Sequence, residues 1–146
     1  MEVLVSSGVG RGETTLAAFD NALHHAGISN FNLIQLSSVV PLGWEVRVVE
    51  KYVPERDSWG AKLYVVLAEA RTSHAPATIG AGVGWYISPE GRGLFVEHAS
   101  ERHGLDAASM EALIMHELEK SMRGLCETRD WPFDDKCFRT TQFLRW

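Results

Sequence analysis

The stretch NLIQLSSVVPLG, residues 32–43, combines the chain's most informative local signals. An apolar, β-prone run at 32–36 leads into two adjacent serines, Ser37 and Ser38, and Pro41 and Gly43 then interrupt regular structure. The pattern predicts a strand that ends at the serine pair and is followed by a turn. Serines are common at strand ends because their hydroxyls satisfy loose backbone groups, so the pair alone indicates no chemistry.

Outward from this stretch, apolar spacing predicts further strands and two helices. One helix begins at 13–15 and ends at Gly27, and the other covers 106–122 with Gly124 as its stop signal. The other β-prone runs lie at 3–5, 46–49, 62–70, 78–86, 94–98 and, in the aromatic tail, 136–143. The nearly continuous apolar run at 62–70 favours a strand covered on both faces. Without repeats or low-complexity linkers, the 146 residues are interpreted as one α/β domain, 1–146.

Composition excludes several classes of protein. Hydrophobic residues make up 45% of the chain and the net charge is −5, which leaves no cationic surplus for binding nucleic acid. No segment reaches the roughly 18–20 apolar residues that span a bilayer, and the N-terminus does not resemble a signal peptide. Two cysteines, Cys126 and Cys137, form no disulfide framework. We expect a cytoplasmic protein without membrane contacts.

The glycine and histidine patterns match no nucleotide or metal motif. GVGRGET at 8–14 lacks the lysine of a P-loop, and AGVGWY at 81–86 precedes no helix. His116 and Glu117 begin no H-E-x-x-H motif because position 120 is lysine. We therefore expect no bound metal.

Four ordered landmarks give the serine pair a context. They are SSGVGRGETTLAAFDNALHHAGI at 6–28, NLIQLSSVVPLG at 32–43, AGVG at 81–84 and GLFVEH at 93–98. Together they resemble the pyruvoyl-dependent arginine decarboxylases, whose self-processing site is a Ser-Ser pair in an N-L-x-x-x-S-S-x-x-P-x-G setting. The resemblance implies an α/β (α+β) fold of the αββα sandwich type, with mainly antiparallel sheets flanked by helices.

The resemblance also implies that the chain cleaves itself between Ser37 and Ser38. The Ser38 hydroxyl attacks the carbonyl of Ser37, and the resulting ester eliminates to free Ser37 as a new C-terminus. The dehydroalanine left at position 38 hydrolyses to a pyruvoyl group with loss of ammonia. The products are a beta chain, 1–37, and an alpha chain, 38–146, whose covalent pyruvoyl group replaces pyridoxal phosphate as the electron sink.

Two further residues receive chemical roles from the resemblance. Asn32 matches a family asparagine and is a candidate for holding the oxyanion during cleavage or for positioning the strand. Glu97 matches the catalytic glutamate that protonates the substrate α-carbon. The apolar neighbours Phe95, Val96 and Ala99 are of the kind that raises a carboxyl pKa toward working pH.

The predicted substrate depends on the first helix. Asp20 matches an acidic family residue that binds the guanidinium of arginine, and a carboxylate can bind that planar cation through two hydrogen bonds. Ser6 and Ser7 are candidates for lining the same pocket. The implied reaction converts L-arginine to agmatine and CO2. One departure is Leu42, where the family commonly has a second proline.

Two alternative functions and the size of the oligomer remain open. The resemblance implies a homo-oligomer, a trimer or a hexamer, with active sites between subunits, so Asp20 and Glu97 need not approach Ser38 within one chain. The same chemistry would serve histidine or S-adenosylmethionine if the distant pocket differed. The Leu42 departure also leaves room for an unprocessed paralogue with a structural or regulatory role.

Overall fold

The computed structural model describes residues 1–141. Within these residues the chain forms two helices and eight strands. Their bounds are β1 Glu2–Val5, α1 Thr15–Ala26, β2 Asn32–Gln35, β3 Val39–Val40, β4 Glu45–Val48, β5 Lys62–Val65, β6 Ala77–Ile87, β7 Gly93–His103, α2 Ala107–Glu127 and β8 Phe138–Thr140.

The first helix begins and ends where the sequence predicts. The hydroxyl of Thr14 accepts a hydrogen bond from the Ala17 N–H at 3.1 Å, which caps the first turn of α1. Gly27 closes the helix in a left-handed conformation, and its N–H donates to the carbonyl of Leu23. Both boundary predictions are confirmed.

The second helix is longer than its prediction. Asp106 caps its start by accepting from the Ser109 N–H at 2.7 Å, as the sequence indicates. The stop predicted at Gly124 is wrong, because α2 continues to Glu127. The reason is packing: Cys126 lies one turn beyond Met122, and both side chains are fully buried. The apolar stripe that drives the helix therefore extends past the glycine.

Substitution of Gly124 tests whether α2 continues through this position. It lies inside α2, and a Cβ added there would meet no atom within 4 Å. We expect Gly124→Ala to raise the free energy of unfolding by about 0.5–1 kcal/mol, because alanine is the better helix former. Urea unfolding measures the change. Gly104→Ala is the matched control: its surroundings are equally open, but its φ of 71° disfavours alanine. A destabilised Gly124→Ala variant would contradict the packing.

A four-stranded antiparallel sheet forms the centre of the molecule, in the order β3-β7-β6-β8. Strands β6 and β7 pair along eleven residues. Strand β7 extends five residues beyond its predicted end at His98, because β6 continues to provide a hydrogen-bonding partner. Part of the predicted tail strand is present as β8, whereas Gln142 and Phe143 lie outside the described residues.

Two smaller sheets are parallel pairs, β1·β4 and β2·β5. The strand predicted at 62–70 ends at Val65 because its partner β2 turns away after Leu36, whose N–H makes the last hydrogen bond, to the Val65 carbonyl. The prediction that this strand is covered on both faces is wrong for the single chain. Tyr64 in β5 is 61% exposed.

The central sheet separates two cores. Helix α2 covers one face, and the residues buried there are Tyr86, Leu94, Val96, Met110, Ile114, Leu118, Met122 and Cys126. On the other face Val5 of β1 packs with Val40, Trp85 and Phe95, and Val46 of β4 packs against this cluster. The Ser6 hydroxyl, just after β1, donates to the Ala26 carbonyl at the end of α1. The combination of helices with a central four-stranded antiparallel sheet confirms the predicted α/β (α+β) sandwich.

Candidate active site

The serine pair lies between β2 and β3, where the backbone leaves one sheet and enters another. Ser37 is exposed and Ser38 is half-buried. The carbonyl of Ser38 accepts a hydrogen bond from the Phe95 N–H at 2.6 Å, and the next residue, Val39, is paired with Leu94. Ser38 therefore stands opposite Phe95 at the edge of the central sheet. The peptide on its N-terminal side leaves that edge toward solvent.

The register brings Glu97 to the same face as Ser38. Residues opposite one another in antiparallel strands share a face, and so do residues two apart along a strand. Glu97 is two residues beyond Phe95 on β7, a diagonal Cα separation from Ser38 of about 7–8 Å. Phe95 and Val96 are buried, whereas Glu97 itself is exposed in the single chain. The apolar cover expected around this carboxylate is therefore absent within residues 1–141 of one chain.

The turn after the serine pair forms with leucine in place of the family's second proline. The Trp44 N–H donates to the Pro41 carbonyl at 3.2 Å, and Gly43 has a φ of 76°. A left-handed residue at this third position is what a type II turn requires, and proline is common at the position that Leu42 holds. The Gly43 N–H also donates to the Gly91 carbonyl at 3.1 Å, which ties the turn to the β6–β7 connection.

Asn32 lies at the opposite end of β2 from the serine pair. Its side-chain amide donates to the Gly60 carbonyl at 2.7 Å, and its backbone N–H donates to the Ala61 carbonyl at 2.8 Å. The extended chain from Asn32 to Leu36 spans about 13 Å. The structure does not bring Asn32 beside Ser38 within one chain.

The N-terminal loop lies directly against α1. A Cβ at Gly8 would overlap the carbonyl oxygen of Ala22, and one at Gly10 would overlap that of Ala18. Glycine is therefore required for the loop to approach the helix backbone this closely. The motif that matches no nucleotide fingerprint thus has a packing role.

The predicted substrate-binding residues lie on this loop and helix. The Ser6 hydroxyl donates to the Ala26 carbonyl at 3.0 Å, so it holds the loop to the end of α1. Ser7 is half-buried, and Asp20 is exposed on α1. The structure joins Ser6 to α1, the helix that carries Asp20, and leaves Asp20 open to solvent.

A cluster that sequence reasoning missed includes Phe19, the residue that precedes Asp20 on α1. The guanidinium of Arg71 stacks 3.7 Å from the centre of the Phe19 ring and bonds to Glu69. The next residue, Thr72, donates its hydroxyl to Glu101 of β7 at 2.7 Å. No local pattern reports a contact between residues 52 positions apart, so only the tertiary structure shows it.

Comparison with known proteins identifies the family of the chain. A family model described as pyruvoyl-dependent arginine decarboxylase matches residues 2–144. The chain belongs to this family. The membership confirms the resemblance and places the chain among carbon–carbon lyases.

Individual relatives carry the same description over most of both chains. The chain is similar to a pyruvoyl-dependent arginine decarboxylase of Methanothermobacter thermautotrophicus, with 36% identity over 125 residues, 86% of this chain and 79% of the relative. It is similar to one of Halobacterium salinarum, with 31% identity over 138 residues, 94% of this chain and 81% of the relative. A third, pyruvoyl-dependent arginine decarboxylase 2 of Archaeoglobus fulgidus, is 40% identical over 104 residues, 68% of this chain and 64% of the relative.

Neither α1 nor α2, the helices within residues 1–141, combines the length and the apolar character needed to cross a bilayer.

Proposed function

We propose that this chain cleaves itself at Ser37–Ser38 and then decarboxylates L-arginine to agmatine and CO2. The observation that carries the proposal is the placement of Ser38 opposite Phe95, on the face of the sheet that also carries Glu97. On this proposal, the residue that forms the reactive group directly precedes β3, and the proton donor lies on the neighbouring strand β7. Membership of the family supports the reaction class.

Cleavage begins at the peptide bond between the serines. The Ser38 oxygen bonds to the Ser37 carbonyl carbon, the C–N bond breaks, and the hydroxyl proton moves to the nitrogen of residue 38. The α-proton of residue 38 then leaves as its Cβ–O bond breaks, which releases Ser37 as a carboxylate. Water replaces the nitrogen of the dehydroalanine, ammonia departs, and a ketone remains.

The Phe95 N–H assists the elimination. Removal of the α-proton places negative charge on the carbonyl oxygen of residue 38, and the Phe95 N–H already donates to that oxygen at 2.6 Å. A donor aimed at an oxygen that gains charge lowers the barrier. The half-buried Ser38 thus fits the origin of the pyruvoyl group: its hydroxyl oxygen attacks and leaves with Ser37, its carbon atoms remain, and the Phe95 N–H holds its carbonyl.

When present, the pyruvoyl group accepts the electrons released as CO2 leaves the substrate. The Phe95 N–H continues to stabilise charge on the adjacent carbonyl oxygen. Glu97 delivers a proton to the substrate α-carbon from the same face of the sheet. Asp20 binds the guanidinium, and Ser6 and Ser7 line the pocket. Asn32 acts by positioning β2, since its amide holds the Gly60 carbonyl.

We further propose that the working protein is a homo-oligomer, a trimer or a hexamer of cleaved chains. Three observations support a site shared between copies. Glu97 is exposed in one chain, Asp20 is exposed on α1, and Asn32 lies at the far end of β2 from the serine pair. A neighbouring copy would cover Glu97 and supply the apolar surroundings that suit a proton donor.

Release of CO2 from a panel of amino acids tests the substrate. We expect the purified, processed protein to release CO2 from L-arginine and to form agmatine. Histidine and S-adenosylmethionine are the comparison substrates, because the pyruvoyl chemistry handles only their α-amino-acid end. Release from either of them, with none from arginine, would overturn the substrate assignment.

A further inference from the structure

The N-terminal loop, residues 6–13, is bonded to two side chains of α1. Nδ1 of His25 accepts a hydrogen bond from the Val9 N–H at 3.2 Å, which requires that the proton of the neutral ring be on Nε2. The Asn21 side-chain amide donates to the Arg11 carbonyl at 2.6 Å. Asn21 and His25 are four residues apart in the helix, so they are neighbours on one face of α1.

The backbone of the loop makes few hydrogen bonds of its own. Among the backbone–backbone hydrogen bonds outside the helices and strands of residues 1–141, none involves residues 7–10. Glycine at positions 8 and 10 lets this backbone pack directly on the helix, but glycine also has the greatest conformational freedom when nothing restrains it. Asn21 and His25 therefore supply hydrogen bonds that the loop backbone lacks.

Two of the contacts with α1 bracket Ser7 in the sequence. On one side the Ser6 hydroxyl donates to the Ala26 carbonyl at 3.0 Å, and on the other side Val9 is bonded to His25. Ser7 itself is half-buried. Because both flanks are fixed, few conformations are open to Ser7, a residue proposed to line the substrate pocket.

We propose that His25 and Asn21 are positioning residues for substrate binding, which act by fixing the loop that carries Ser7. The proposal rests on Ser7 lining the pocket of the proposed decarboxylase. His25 and Asn21 have no part in self-cleavage or in proton transfer. Both should therefore affect KM for arginine and leave kcat and cleavage between the serines unchanged.

Substitution of His25 tests whether an acceptor is needed at the position of Nδ1. His25→Leu removes the acceptor, and KM for arginine should rise by about three- to tenfold, because apparent affinity falls with the fraction of time the pocket is formed. His25→Asn returns an oxygen to the place of Nδ1 and should restore KM. His25→Gln puts its amide near the place of Nε2 and should behave as His25→Leu does.

Hydrogen exchange at the Val9 amide reports on the loop independently of activity. The bond to His25 protects this N–H, so exchange in the processed protein should be about three- to tenfold faster in His25→Leu and His25→Gln. In His25→Asn the exchange rate should return to that of the unsubstituted chain. Mass spectrometry of peptic fragments that cover residues 6–13 measures the rates.

Cleavage by trypsin after Arg11 tests the second contact. Asn21→Ala frees the Arg11 carbonyl from the helix, and alanine favours the helix, so α1 itself should persist. We expect trypsin to cut the bond between Arg11 and Gly12 about three- to tenfold faster in this variant, because proteases act on loosely held loops. An unchanged rate would remove Asn21 from the proposal.

His24→Leu is the matched control for His25→Leu. His24 precedes His25 on α1, and its Nδ1 contacts the Ser29 hydroxyl at 3.4 Å. The substitution removes an imidazole from the same turn of the helix, and it should leave KM and exchange at Val9 unchanged. If His25→Leu does not fold, His25→Gln provides the comparison with His25→Asn.

The possible outcomes distinguish this proposal from the proposed function. Unchanged exchange at Val9 in the His25 variants overturns the attachment of the loop by His25. Faster exchange with an unchanged KM, or an equal rise of KM in His25→Asn and His25→Leu, overturns the positioning role. No CO2 from arginine with the unsubstituted, processed protein overturns the proposed function instead, and exchange at Val9 still tests the attachment of the loop.

Discussion

Replacement of Ser38 by alanine leaves the chain intact and inactive. Without the hydroxyl no atom can attack the Ser37 carbonyl, so the protein runs as a single 16.2 kDa polypeptide on denaturing electrophoresis. Decarboxylation of arginine falls to background because no ketone forms. The fold should persist, since the hydrogen bond from Phe95 is made by the backbone carbonyl of residue 38 and needs no hydroxyl.

Ser37→Ala is the matched control for this result. Ser37 contributes its carbonyl carbon to the cleavage, and alanine supplies the same carbonyl. Its side chain is exposed, so little packing is lost. We expect two polypeptides and retained activity. Cleavage of Ser38→Ala, followed over days by intact mass, would rule out the Ser38 hydroxyl as the attacking group.

Replacement of Glu97 by glutamine reduces kcat by about 10²–10⁴-fold, the usual contribution of a positioned proton donor. Glutamine keeps the shape and can still hydrogen-bond, but it cannot deliver the proton. Glu97 is exposed in the chain, so the free energy of unfolding should change by less than about 0.5 kcal/mol. Cleavage between the serines should proceed to completion, which intact mass verifies before kinetics are measured.

Glu90→Gln provides the control for charge alone. Glu90 is also an exposed carboxylate, and it lies in the connection between β6 and β7. The substitution removes the same charge but changes no residue of the proposed site, so kcat should be unchanged. If Glu97→Gln retains near-normal kcat, the proton comes from another group and Glu97 has only a structural part.

Local sequence signals were sufficient for the starts of both helices, for the end of α1 and for the turn after the serine pair. Thr14 and Asp106 cap helices by accepting hydrogen bonds from the backbone N–H groups of residues three positions later. Such short-range contacts can be predicted from sequence. The end of α2 predicted at Gly124 was wrong, because the length of a helix depends on what its next turn packs against. Cys126 reaches the core, and a single glycine is not enough to stop the helix.

Pairings between strands that are distant in sequence could not be predicted in this way. The parallel pairs β1·β4 and β2·β5 join segments about thirty to forty residues apart, and no local pattern encodes such partners. The early end of β5 follows from where β2 turns away. The stacking of Arg71 on Phe19 depends on the same long-range packing. Family motifs supplied Ser38 and Glu97, and the register of β3 and β7 then brought them to one face.

The intact mass of the purified, unsubstituted protein tests self-processing at Ser38 most directly. We expect two polypeptides: residues 1–37 ending in a free carboxylate, and residues 38–146 lighter by one ammonia than a chain that begins with serine. The larger one should also react with a carbonyl reagent. A single 16.2 kDa chain that persists on prolonged incubation, or a break at any other bond, would contradict cofactor formation at Ser38.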